Sequence, residues 1–326
     1  MKSFGRMSVW SLVPVSAVGA MTFTAATPLS APPPPSPAIV VNSGGSIYVM
    51  NADGSNFTRV LANAGDYFLL TPAMSPDGSK IAFIGAPFGY GSNGLYTINT
   101  DGSGLTPLTA TYEAFGSCAW SPVVAPDGRL KIAFEDYPSD DPSAISFEVI
   151  LINTDGSGRK QLTFTDDAEE RHVTWSPDAA RIAVTYLLGE NDCLVYDLGV
   201  DATGTVVVTG TMNITNVAGS PLAGRPDGEI QSPDWARYSD RIALAARGSR
   251  NFDVWIVDLA NPSSPINLTD KIDKNADSDP AWSPDDGKLA LWRGGAKSGI
   301  YTINADGTGL KQISRRGSNP DWKRVP

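Results

Sequence analysis

Ile47-Tyr-Val-Met-Asn-Ala-Asp-Gly-Ser55, followed twenty residues on by Ser75-Pro-Asp-Gly-Ser-Lys-Ile-Ala-Phe83, is the passage that decides the fold. An alternating apolar run with period two reads as a half-buried strand. Asn-x-Asp-Gly and Ser-Pro-Asp-Gly read as tight turns: Pro presets φ, Asp bonds the backbone two residues ahead, and Gly accepts positive φ. The same sentence returns from Leu95 to Phe134 as LYTINTDGS, LTPLT, AWSP and APDGRLKIAF, and again from Val149 to Val184 and from Val254 to Leu291. Six variants of it occupy the chain, at a spacing of roughly 40 to 60 residues, the period of four-stranded propeller blades.

One late copy shows how a blade is laid out. Asp279 to Trp282 is its inner strand, Lys288 to Trp292 the second, Gly299 to Asn304 the third and Leu310 to Ser314 the outermost. The Asp residues of the turns (Asp53, Asp77, Asp101, Asp155 and Asp306) recur with the turn and are read as turn formers rather than catalytic carboxylates. Trp120, Trp175, Trp235, Trp282 and Trp322 likewise recur at one repeat position, which points to packing between blades.

The ends of the chain predict how the ring closes. After Trp322 no Ile-Ala-Phe strand follows, whereas Ala38-Ile-Val-Val41 stands directly before Ile47-Tyr-Val-Met50. The last blade is therefore expected to take its inner strand from residues 319–323 and its other three from residues 38–61. That arrangement makes an all-β, six-bladed propeller and removes an open sheet edge.

The motifs IYVMNADGS, WSPDG and IAF resemble the WD-like repeats of the TolB-type propeller family over about residues 38 to 325. The resemblance implies a propeller fold and, by way of the family's envelope proteins, binding of partner proteins; related propellers are fused to serine peptidases or act as polysaccharide lyases. TolB itself carries an N-terminal α/β domain ahead of its propeller. In that place this chain has a signal-like segment and a proline-rich spacer.

That segment sets the expected location. Lys2 and Arg6 precede an apolar stretch, Val9 to Phe23, and small residues around Ala25-Ala26, the layout of a cleavable export signal over residues 1–26. Residues 27–37 read as a semi-rigid spacer, and residues 38–326 as the propeller. A periplasmic or secreted monomer is expected, with no transmembrane segment. The formal net charge of −10 argues against nucleic acid as a partner. Cys118 and Cys193 fall in different repeats at different positions, so both are expected as free thiols.

Topology then says where function would sit. In an up-and-down blade the short repeated turns share one face, and the irregular connections converge on the other: residues 86–94, 135–147, 164–171, 187–192, 209–231 and 270–278. Residues 193–246 depart furthest, lacking Asn-x-Asp-Gly. Thr71, Ser117, His172, Ser232, Asp279 and Asn319 occupy one repeat position and are expected to ring the channel on that face. Tyr90, Tyr112 and Tyr137 lie outside the repeat and are candidates for partner contact. Asp273, Asn275, Asp277 and Asp279 alternate as oxygen ligands do in a calcium loop, although Ser278 replaces the usual glycine and no bidentate Glu follows. The leading expectation is a module that binds a protein or glycan of the cell envelope. The alternative is a polysaccharide-acting lyase or hydrolase with His172, the sole histidine, at the channel mouth.

Overall fold

The computed structural model describes residues 38–324 apart from 63–69, 86–92, 110–114, 138–145, 166–167, 227–228, 249–250, 271 and 273–274. Six four-stranded antiparallel sheets follow one another around the ring. Blades 1 to 5 run over residues 70–107, 115–161, 169–213, 230–267 and 277–314. Their inner strands are Leu70–Met74, Phe115–Trp120, Glu169–Trp175, Ile230–Trp235 and Asp277–Trp282. Blade 6 closes the ring as expected: Ser318–Trp322 is its inner strand and pairs with Ile39–Ser43, with Ile39 opposite Trp322.

The turns form as their residues dictate. In the first hairpin of blade 1, Asp77 accepts the Ser79 amide (3.0 Å) and the Ser75 hydroxyl (2.7 Å), while the Gly78 amide reaches back to the Ser75 carbonyl at φ +72°. In the second hairpin of blade 6, Asp53 accepts the amide and hydroxyl of Ser55 at 2.9 and 2.6 Å. The repeated Leu-Thr is also chemical. The hydroxyls of Thr109, Thr163, Thr269 and, after Ile214 in blade 3, Thr215 accept the amides of Leu95, Val149, Val254 and Cys193, so each outer strand is stitched to the start of the third.

The apolar core lies between neighbouring sheets. Trp175, Ile182 and Val184 of blade 3 pack on Ala119, Val149 and Leu151 of blade 2, and Trp235 and Ile242 of blade 4 pack on Ala183, Cys193 and Val195 of blade 3. All five repeated tryptophans are buried. Two of them also tie their blade to the preceding one, Trp120 Nε1 donating to the Ala73 carbonyl (3.0 Å) and Trp175 Nε1 to that of Ala119 (3.1 Å). Truncating a side chain of this kind costs on the order of 3–5 kcal/mol, because the facing sheets cannot collapse into the gap. Cys118 and Cys193 are buried free thiols.

Blade 3 is more regular than its sequence suggests. Asp201-Ala-Thr-Gly204 replaces Asn-x-Asp-Gly and does the same work, its carboxylate accepting the Thr203 and Thr205 amides at 2.8 and 3.0 Å. The strands on either side lengthen to Glu190–Val200 and Val206–Asn213. The connection expected from residue 209 therefore begins only after Asn213. Residues 187–192 form a hairpin turning at Gly189 (φ +73°) rather than an irregular loop.

Candidate functional site: the mouth of the central channel

The inner strands share an irregularity that aims side chains into the channel. In blade 3, Arg171 pairs with Thr185 and Thr174 with Ala183, so His172 and Val173 together face only Val184. Blades 1, 4 and 5 break register at the same place. A bulge of this type puts one residue in the left-handed region. That residue is Thr71, His172, Ser232, Asp279 or Asn319, at φ between +34° and +56°. None is glycine, and such a conformation costs about 1–3 kcal/mol unless the surroundings enforce it. Blade 2 solves the problem differently: an extra residue, Gly116 (φ +72°), takes the left-handed turn, and Ser117 keeps the position of the other five.

All six side chains line one cavity of about 290 Å³ on the axis of the ring, each half-buried. Its floor is formed by Asp234, Asp321 and Arg324. Arg324 comes from the last described residue of the chain and reaches across to blade 3, with Nη2 at 3.2 Å from Asp234 Oδ1 and 3.3 Å from Thr174 Oγ1. Both aspartates also bind the next blade: Asp234 accepts the Trp282 amide (2.7 Å) and Asp321 that of Met74 (2.6 Å). Burial pushes the Asp321 carboxyl up to about 6, with Arg324 pulling the other way, and burial lowers Arg324 to about 10.

At the mouth the hydrogen-bond directions can be assigned from the partners. Thr185 donates to the Arg171 carbonyl (2.9 Å), so its oxygen must accept from His172 Nδ1 (2.9 Å), leaving a lone pair on Nε2. Burial lowers the imidazole to about 4, with Arg171 adding to the effect. His172 is therefore neutral at physiological pH. Glu135, from the second strand of blade 2, accepts the Ser117 amide (3.1 Å), the Ser117 hydroxyl (2.5 Å) and the His172 amide (2.5 Å) on one oxygen, and burial pushes it up to about 7. Asp279 accepts the hydroxyls of Ser232 (3.0 Å) and Ser278 (3.2 Å), and burial raises its carboxyl above the usual range.

This geometry bears on catalysis directly. The Ser117 hydroxyl is committed to Glu135, and the one hydroxyl beside the His172 ring, Thr185, accepts from it and donates to the Arg171 carbonyl, the reverse of the direction a nucleophilic dyad requires. The remaining candidates scatter. Tyr137 lies off the channel, its ring tilted 31° against that of Phe147 at 4.5 Å, and Phe147 also meets the Arg171 guanidinium at 4.5 Å. Tyr90, Tyr112 and Asp273 fall outside the described residues. Asp277 is buried in strand and gives both carboxylate oxygens to Arg293 Nη1 (2.8 Å each), which removes it as a ready cation ligand. Among the described residues no group of three or more His, Cys, Asp or Glu is placed to hold a metal ion.

Sequence reasoning missed Glu135, Gly116, Arg324, Asp234 and Asp321. The signals were there: Glu135 stands where the other blades carry Ile84, Thr185, Ala245 and Trp292, and Asp234 and Asp321 stand where they carry Ala73, Ala119, Thr174 and Ala281.

The same architecture recurs in solved structures. TolB from Acinetobacter baumannii superposes with a TM-score of 0.62 at 20% identity, over 87% of this chain and 65% of that one. The fold is that of a TolB-like propeller. A putative TolB from Agrobacterium tumefaciens gives 0.58 at 16% identity, over 86% of this chain and 90% of that one. A propeller in a nidogen/laminin complex gives 0.61 at 10% identity, over 87% and 97%. This chain spans just under two thirds of the A. baumannii protein. No protein-family model matches this sequence, nor does any curated protein. Among its described residues no helix is long and apolar enough to cross a membrane.

Proposed function

We propose that this TolB-like propeller is an exported binding module of the cell envelope, periplasmic or secreted, which holds a protein or glycan on the face where its channel opens. The observation that carries the reading is the channel itself. It is stopped at one end by Arg324 and its two aspartates, and at the other it opens through six polar side chains held rigidly by strand bulges. A blind, polar, preorganised socket suits recognition, because little order is lost when a ligand enters it. The signal-like segment at residues 1–26 and the presence of a similar propeller in a nidogen/laminin complex support it. Retention of a defined protein or glycan from envelope extract by the wild-type chain, and its loss from a variant carrying His172→Ala and Ser232→Ala, is the expected result. Equal retention by both would refute the placement.

A second reading has one observation in its favour. His172 keeps a free Nε2 lone pair in the same cavity as Asp279, so a polysaccharide-acting enzyme could draw a general base from it. Depolymerisation of an envelope polysaccharide that disappears in His172→Ala would establish that reading over the first.

A further inference from the structure

The hydrogen bonds at the channel mouth leave its proton inventory one-sided. Thr71 donates its hydroxyl to the Gly116 carbonyl (2.5 Å), Ser117 to Glu135 and Ser232 to Asp279. His172 Nδ1–H goes to Thr185. What these four side chains have left to offer a visitor is lone pairs: three hydroxyl oxygens and one imidazole nitrogen. Asn319 can present its amide oxygen as readily as its NH2 group. Asp279 is the carboxylate among the described residues lining the mouth, with Glu135 behind Ser117 and His172, and the imidazole itself is neutral. On the floor, the positive charges of Arg324 and Arg237 are matched by those of Asp234 and Asp321.

A ring of acceptors that includes the Asp279 carboxylate is complementary to a compact cation with several protons to give. We infer that the channel mouth takes a primary ammonium group of a partner polypeptide, a lysine side chain or an N-terminal amine, with Asp279 as its counter-charge. The inference rests on the reading of this mouth as a binding site. An ammonium offers three donors from one point, as a circle of hydroxyl and imidazole acceptors demands, whereas a guanidinium offers a planar fork best met by a free carboxylate edge. Here that edge is taken, because both Asp279 oxygens already accept serine hydroxyls. The same occupancy disfavours a divalent cation, which needs several oxygens converging on it in place of water. A carboxylate or phosphate would meet lone pairs everywhere except at the Asn319 amide, and would face the Asp279 carboxylate as well.

His172 is the chain's single histidine, so its imidazole resonances report on the mouth without ambiguity. The full chain is titrated with Nα-acetyl-lysine methylamide, alanine methylamide, Nα-acetyl-arginine methylamide, Nα-acetyl-glutamate methylamide and calcium chloride. A saturable shift of the His172 signals with the lysine or the alanine probe is expected, weakened about tenfold or more by Asp279→Asn because a charge-assisted bond is lost. Whichever of the two binds more tightly identifies the side chain or the terminus as the source. Asn is tolerated there, since Asn319 holds the equivalent left-handed position in blade 6. The inference falls if neither amine gives a saturable shift, if Asp279→Asn leaves the shift unchanged, or if arginine, glutamate or calcium binds as well as the amines. Retention of an envelope partner equally by wild type and Asp279→Asn would overturn the ammonium while keeping the binding module. Loss of both partner and probe binding in the wild type overturns both.

Discussion

Replacing Arg324 by Met keeps much of the side-chain volume at the base of the channel and removes the charge that two buried aspartates face. Breaking a buried pair by deleting one partner costs about 3–5 kcal/mol, because the other is left uncompensated. Asp234 retains Arg237 at 3.6 Å, which places the loss near 3 kcal/mol. For a propeller of this size that corresponds to a fall in melting temperature of roughly 5 °C. The pH dependence is the sharper test. Asp321 sits at about 6 in the folded protein against 3.8 as its ordinary value, so the native state binds more protons than the unfolded chain between those values. Stability from this group is present at acid pH and is lost as pH rises through about 6. Without Arg324 the carboxyl is pushed further up, so the variant is expected to lose most at pH 8 and to recover part of the loss at pH 5. Calorimetric unfolding of both proteins at the two pH values gives the answer. A variant that melts within 1 °C of wild type, or one equally destabilised at both pH values, would refute the reasoning.

Gly116→Ala would place a Cβ 1.8 Å from Glu135 Oε2 at a backbone φ of +72°; urea unfolding should show a loss of about 2–3 kcal/mol, and His172 amide exchange should rise as Glu135 is displaced. The His172 imidazole should titrate near pH 4 by NMR. Because that value is depressed below the unfolded one, its stabilisation is present above pH 6.5 and lost as pH falls towards 4; a midpoint near 6.5 would contradict the buried, Thr185-bound ring. Trp175→Phe deletes the bond to Ala119, whereas the Trp282 indole nitrogen has no partner, so Trp175→Phe should cost about 1 kcal/mol more than Trp282→Phe in chemical denaturation. Equal costs would show that the bond between blades adds nothing.

What was legible in the sequence follows from how local each interaction is. Asp77 with Ser79, and Asp53 with Ser55, act within two residues, so the turn and hence the strand spacing can be read directly. The closure of blade 6 was legible for a related reason: a missing strand at one end and a surplus strand at the other are properties of the repeat. The six mouth residues could be aligned because the bulge recurs in every blade. What escaped is what crosses blade boundaries. Glu135 works on His172, 37 residues away, and Arg324 works on Asp234, 90 residues away. No pattern along the chain encodes those distances. At the oxygen-rich run, alternation also describes a strand: Asp277 lies in one, and Arg293, sixteen residues on, holds its carboxylate.

The joint blade also fixes an order of events during synthesis. Ile39, Val40 and Val41 are made among the first residues of the propeller, yet their neighbour in the sheet, Ser318–Trp322, is made among the last. Until Ser318–Trp322 has been made, three consecutive buried-to-be aliphatic residues stand at an unpaired strand edge. Five blades can assemble as they emerge, but the sixth must wait, and with it Arg324 and the floor of the channel. The floor of the channel is thus finished last, so a polypeptide that ended a dozen residues earlier would have five complete sheets but neither the inner strand of the sixth nor Arg324.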